Sequence, residues 1–269
     1  MIKQRLVTAL VLGILVLAGV FWLPVESFSA LTALVVLLGA SEWARFASLD
    51  GKSRWVFVAV VAVLMLALHL IGLNRVMPVL LSLTGVFWLW ACLLILGYPA
   101  SRGYRMRVNR VLIGLAVLVP TWVALSGLKG LYQGEQALLM LLLLVWGADT
   151  GAYCAGKLFG RHKMIPRVSP GKTLEGLAGG VVTCLFIGIG FGLWLELPAP
   201  SLVYLTGLAL LTCLAAVFGD LFESLFKRER GLKDSGTLLP GHGGILDRID
   251  SLTAAAPVFM LGLYWLPVT

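Results

Sequence analysis

Asp220, Glu223, Ser224 and Lys227 recur at i, i+3, i+4 and i+7, so in a helix two carboxylates, a hydroxyl and an ammonium share one stripe. Leu221, Phe222, Leu225 and Phe226 take the other faces. Such a stripe must face protein or a wet cavity. Alone, it would read as a helix end whose charged tips reach the headgroups. It is followed, however, by Lys233-Asp234-Ser235-Gly236, by Pro240-Gly241-His242-Gly243-Gly244, and by Asp247-Arg248-Ile249-Asp250. Glycines flanking His242 let backbone amides approach an anion. Asp247 and Asp250 are one helical turn apart and can face the same cavity as Asp220 if the helices that carry them pack together. Carboxylates among several cations are the composition of a Mg²⁺ and polyphosphate site. The hard metal takes oxygen ligands and bridges phosphate oxygens, while Lys and Arg neutralise what remains.

These residues sit in a chain of 269 residues that is 59% hydrophobic and only 13% charged, against roughly 25% charged in soluble proteins. That composition excludes an ordinary globular domain, a disordered chain and a disulfide scaffold, and leaves an all-α polytopic integral membrane protein. Nine apolar runs are long enough to be considered as spans: 6–23, 28–43, 55–73, 77–98, 111–128, 137–156, 174–195, 201–218 and 252–268. The second is short and the sixth contains Asp149. With these runs, nineteen Lys and Arg fall on one side and only Arg75 and Lys129 on the other. The positive-inside rule therefore places the N-terminus and four long loops in the cytoplasm and the C-terminus outside. The net charge of +8 reads as topology rather than as a nucleic-acid surface, and no nucleic-acid partner is expected. Lys3 and Arg5 before the first run also fit a signal peptide, but the 18-residue run exceeds the usual signal core of roughly 7–15 residues and is read as a retained helix. Residues 1–135 are expected to form N-terminal scaffold helices with a role in lipid access, and 136–269 the catalytic half.

Other residues have plainer readings. Cys92, Cys154, Cys184 and Cys213 lack metal or redox spacing and are packing residues. His69 is read as packed or hydrogen-bonded and His162 as solvated. Pro120 and Pro257 fall inside spans, where neighbouring helices must satisfy the freed carbonyls. Gly176 with Gly180, and Gly188 with Gly192, have the spacing of close helix packing and leave a homodimer open. Asp149 is costly in an apolar run, so function is its default reading.

The spacing from Ser224 through Lys227-Arg228, Lys233-Asp234, Gly236, His242-Gly243-Gly244 and Asp247-Arg248 to Asp250 resembles, position for position, the signature of the phosphatidate cytidylyltransferases, or CDP-diacylglycerol synthases. Two further blocks resemble the same family: Asp149-Thr150-Gly151-Ala152-Tyr153 with Gly156 to Arg161, and Ser169-Pro170-Gly171-Lys172-Thr173-Leu174-Glu175-Gly176. Family members often carry a second basic residue where this chain has Gly171, which leaves Lys172 as the phosphate ligand of that block.

The resemblance implies CTP and phosphatidic acid as substrates, among membrane lipids, and a bacterial inner-membrane location with the site facing the cytoplasm. On this reading Asp220 and Asp247 hold Mg²⁺, with Asp250 beside them and a second metal ion left open. Lys227 joins them in the catalytic group. Asp149, Ser169, Lys172, Thr173, Ser224, Arg228, Lys233, His242 and Arg248 bind substrate. The expected reaction is direct displacement at the α-phosphorus. The alternatives are a CTP-dependent polyprenol or phytol kinase and an ion-coupled carrier. A carrier needs carboxylates near mid-membrane repeated between halves, whereas these collect at one face of one half.

Overall fold

The computed structural model describes residues 2–100, 102–238 and 243–266, with side chains of the first helix from Leu10 onward. Among the described residues there are nine helices: α1 (Ile2–Trp22), α2 (Val25–Phe46), α3 (Lys52–Ile71), α4 (Leu73–Leu96), α5 (Arg107–Lys129), α6 (Gly134–Phe159), α7 (Leu174–Trp194), α8 (Ala199–Glu229) and α9 (Leu246–Tyr264). The all-α polytopic expectation holds, and each apolar run has its own helix. Helices α2 to α8 are each long and apolar enough to cross a membrane. The described apolar part of α1, Leu10–Trp22, is shorter. Helix α9 has 19 residues and begins with charged ones, and the last two positions of its expected run, Pro267 and Val268, lie outside the described residues.

The boundaries differ from the apolar runs where polar residues extend a helix. The second run was short, yet α2 covers 22 residues because Val25, Glu26 and Ser27 precede it and Ala44, Arg45 and Phe46 continue it. Helix α8 has 31 residues and carries the polar stripe beyond Phe218 without a break, so at 1.5 Å per residue it is about 46 Å long. An antiparallel hairpin, β1 (Lys163–Ile165) and β2 (Ser169–Thr173), was not anticipated; it pairs Lys163 with Thr173 and Ile165 with Ser169. His69 is exposed in the last turn of α3 rather than packed.

Helix α5 is the inner helix, 72% buried over its apolar window, whereas α3 at 17% presents itself to lipid. Helices α2, α4 and α9 surround α5. Pro257 denies a hydrogen bond to the Thr253 carbonyl, and the Thr121 hydroxyl of α5 lies 3.3 Å from that oxygen, as the expectation for an intramembrane proline requires. Helices α6 and α7 form the tightest pair. A methyl group on Gly176 or Gly180 would stand 2.9 Å from the carbonyl oxygens of Ala152 and Ala148, respectively. Gly188 likewise seats α8 at Thr206 and Ala209, so both glycine pairs of α7 are used within the chain. The two buried cysteines, Cys184 and Cys213, pack between helices, and all four cysteines are free thiols.

Candidate active site

The polar stripe of α8 meets the hairpin on one side and α9 on the other. On the hairpin side, Lys172 of β2 places Nζ 2.7 Å from Asp220 Oδ2 and donates to the Val217 carbonyl at 3.2 Å. Ser224, one turn along, donates to Asp220 Oδ1 at 3.3 Å. The hairpin is held in place from both ends. Arg228 of α8 donates from Nε to the carbonyl of buried Val168 in its turn, and Thr173 caps α7 by accepting from the Gly176 amide at 3.1 Å. Glu175 gathers the amides of Arg161 and His162 and the His162 ring, with Nδ1 2.6 Å from Oε1. His162 is exposed, as expected, and its ring is also hydrogen-bonded to Glu175.

A cavity of about 360 Å³ opens between α6, β2, α7 and α8, lined by Asp149, Lys157, Lys172, Thr173 and Val217 among others. Asp149 lies within electrostatic reach of Lys172, Asp220 and Arg248, so the sixth-run carboxylate belongs to this cluster. Tyr153 lines the cavity and is two-thirds exposed on the outer face of α6, with Lys157 Nζ 5.7 Å from its ring. The cavity therefore borders both the charged cluster and the exposed outer face of α6.

On the α9 side, Asp247 Oδ1 accepts from Lys227 Nζ at 2.8 Å, and Oδ2 accepts from the amides of Ser235 and Gly244 at 2.9 and 2.8 Å. Buried Glu223 has Lys227 Nζ 3.2 Å from one oxygen but no aligned hydrogen-bond donor at either. Asp250 accepts from the Ser251 amide at 2.7 Å and is close enough to Asp220, Asp149 and Lys227 to feel their charges. What brings α8 and α9 together here is Gly219: a methyl group on it would lie 2.6 Å from the Asp250 carbonyl oxygen.

Of the residues expected at the site, Asp149, Lys172, Thr173, Asp220, Ser224, Lys227, Asp247 and Asp250 converge. Ser169 opens β2, Arg228 braces the hairpin, and Lys233 is exposed on the loop after α8. Arg248 is exposed in the first turn of α9, near Asp149. His242 lies outside the described residues. The sequence reading missed Glu42 and Arg45 of α2, which reach the loop after α8: Glu42 accepts from Ser235 Oγ and from the Ile245 and Leu246 amides, and Arg45 donates to the Ser235 carbonyl. A Glu at the end of an apolar run gave no signal, since its partners are about 200 residues away. Arg110, read as a topology cation, is buried and donates to the carbonyls of Tyr104 and Phe46. Burial pushes the Tyr104 phenol up, keeping it a donor to Glu229 at the end of α8.

Seven membrane-length helices carrying a shared cluster of lysines and carboxylates define a membrane enzyme for anionic substrates. Residues 3–266 match the model of the cytidylyltransferase family. The chain belongs to that family, as its signature indicated, and is a CTP-dependent nucleotidyltransferase. It is 46% identical to the phosphatidate cytidylyltransferase of Pseudomonas aeruginosa, over 98% of this chain and 97% of that one. It is 38% identical to the enzyme of the same name from Haemophilus influenzae, over 96% and 97%. It is also 45% identical to that of Bacillus subtilis, over 45% of this chain and 46% of that one.

Proposed function

We propose that the protein transfers the cytidylyl group of CTP to phosphatidic acid, giving CDP-diacylglycerol and pyrophosphate, at a site facing the cytoplasm in a bacterial inner membrane. The observation that carries the reading is the gathering of two lysine–carboxylate pairs on α8, Lys172 with Asp220 and Lys227 with Asp247, the first of them at a cavity that Lys172 lines and that opens at the outer face of α6. A diacyl phosphate cannot leave the bilayer and CTP cannot enter it, so their common site needs a lateral opening next to a basic mouth. The near full-length relatives that bear the name phosphatidate cytidylyltransferase support the same acceptor.

The chemistry asks little covalent work of the protein. A phosphate monoester already carries an anionic oxygen, which attacks the α-phosphorus of CTP in line. The bond from that phosphorus to the bridging oxygen of the β-phosphate breaks, and pyrophosphate leaves with the electron pair. Lys172 and Lys227 are positioned to exchange their carboxylate partners for phosphate oxygens, Arg228, Lys233 and Arg248 supply further positive charge to the two substrates, and His242 contacts their phosphates. Ser169, Thr173, Ser224 and Asp149 line or brace the binding surface. Catalysis is then positioning and charge neutralisation.

The residues fit Mg²⁺. Among the described residues no three carboxylate, imidazole or thiolate side chains are set as a ready cage. Mg²⁺ needs none, because it is usually held by one or two carboxylates with waters and substrate phosphates. The oxygens of Glu223, buried without aligned donors beside Lys227, show that the cluster holds more carboxylate than the lysines satisfy. Asp220 and Asp247 would hold the ion, with Asp250 adjacent. When bound, it supplies neutralising charge to the phosphate oxygens.

The test is a label. Purified protein in mixed micelles of detergent and phosphatidic acid receives CTP carrying ³²P at the α or the γ position. Label from the α position alone should enter lipid. Entry of γ label into an added polyprenol would make the protein a lipid kinase, and no transfer of α label to phosphatidic acid would reject the acceptor.

A further inference from the structure

We infer that the α9 side of the site takes CTP, the lipid substrate taking the cavity that opens at the outer face of α6, and that Glu42 is a positioning residue for that CTP side, acting through Ser235 and the first turn of α9. The inference rests on the reading of the site given above. The Glu42 side chain comes from α2, is 2% exposed, and gathers three donors: the Leu246 amide at 2.8 Å, the Ile245 amide at 3.1 Å and Ser235 Oγ at 2.9 Å. Ile245, at the N-cap position of α9, offers no side-chain cap of its own, so a carboxylate from a distant helix completes that terminus. Holding a carboxylate in this setting is costly unless its bonds are made, and a serine or aspartate at position 245 would cap the helix locally. What the distant carboxylate adds is a connection.

Ser235 is that connection. Its hydroxyl stands 2.9 Å from Glu42 Oε2 and 3.0 Å from Asp247 Oδ2, and one proton serves both carboxylates. Movement of Glu42 therefore shifts the group that orients Asp247 and, through it, Lys227. Arg45, one turn further along α2, donates to the Ser235 carbonyl at 2.6 Å and pins the same residue from its other face. Two glycines make room: side-chain atoms of Glu42 would touch a methyl group on either Gly236 or Gly244. Ser235, so held, is two residues from Lys233, and the first turn of α9, so held, carries Asp247 and Arg248. The cavity beside Asp149 and Lys172, by contrast, is lined by α6, the hairpin, α7 and α8, and neither Glu42 nor Ser235 lines it. Loosening the latch should disturb one substrate and spare the other.

The experiment compares full-length wild type, Glu42→Gln, Ser235→Ala and the double variant in mixed micelles, varying CTP and phosphatidic acid separately. Gln keeps the shape but turns an NH₂ group toward backbone donors, so Glu42→Gln should raise KM for CTP about tenfold, consistent with losing a charge-assisted bond, and leave KM for phosphatidic acid within about twofold. The double variant should cost less than the two single effects combined, because Glu42 and Ser235 share one hydroxyl contact while Glu42 keeps its two amide donors besides. A structural role alone would lower the active fraction without separating the two KM values, and that outcome, like unchanged kinetics, overturns the inference. If Glu42→Gln does not yield folded protein, Arg45→Met tests the same pin, and an unchanged KM for CTP in it is equally decisive. Failure of wild type to pass α label to phosphatidic acid would reject the functional reading instead, so the two failures are distinct.

Discussion

Lys172 and Asp220 come from elements separated by a whole membrane helix, yet stand 2.7 Å apart, and each is about one quarter exposed. An ion pair so open to water adds little to stability, so its value is in presenting an ammonium and a carboxylate together where a polyanion binds. Replacing Asp220 or Asp247 by Asn should therefore leave the protein folded and inserted while lowering kcat by at least about 100-fold at every Mg²⁺ concentration. Near-wild-type turnover in both variants would contradict the assignment of these carboxylates. Ser224 is the only hydroxyl on the stripe. It donates to Asp220, whose other oxygen is held by Lys172, so Ser224 is engaged with a carboxylate that is itself ion-paired. We expect no nucleotidyl-enzyme. Initial-rate lines for CTP at several phosphatidic acid levels should intersect, whereas parallel lines with CTP–pyrophosphate exchange in the absence of lipid would make Ser224 a covalent carrier.

Between elements, the decisive contact is the crossing of α8 and α9 at Gly219. Gly219→Val should force the Asp250 backbone away and abolish activity while lowering thermal stability in detergent. Gly207→Val, on the same helix but with open space around it, should do neither, and equal damage at both positions would remove the contact from the account. This level was partly legible beforehand. The apolar runs located every helix, because a lipid-facing helix must be apolar along its length, and the signature located the ends of α8 and α9. The hairpin was hidden, since Ser169-Pro170-Gly171 has poor strand propensity and is ordered by Arg228 and the α7 cap rather than by its own pattern. The extension of α2 was hidden as well: Glu42 and Arg45 look like a helix end reaching for headgroups until their partners on the distant loop are seen.

For the molecule as a whole, one of the two cations on the minority side, Lys129, is buried against Glu135 and the Val20 carbonyl, which leaves Arg75 to oppose the topology. A single cysteine placed at Arg167 in an otherwise cysteine-free background should stay unlabelled by an impermeant maleimide added to intact cells; labelling there would invert the orientation. The architecture also has a mechanical side. Helix α8 is one unbroken rod of 31 residues with its last turns in the site, and a rod about 46 Å long displaces its end by about 8 Å for each 10° of tilt. Hydrophobic mismatch bears on such tilts, against the packing of the neighbouring helices. Lys227 and Asp220 ride on this rod, whereas Lys172 is carried by a hairpin tied both to the rod through Arg228 and to α7 through Thr173, so a tilt of the rod relative to α7 is expected to reach the distance between them. Turnover in vesicles of graded acyl length should accordingly pass through a maximum, and a flat profile would show that the packing of α7 and α9 holds the rod against the lipid. With such a maximum, a site mounted in this way would gauge the thickness of the bilayer around it.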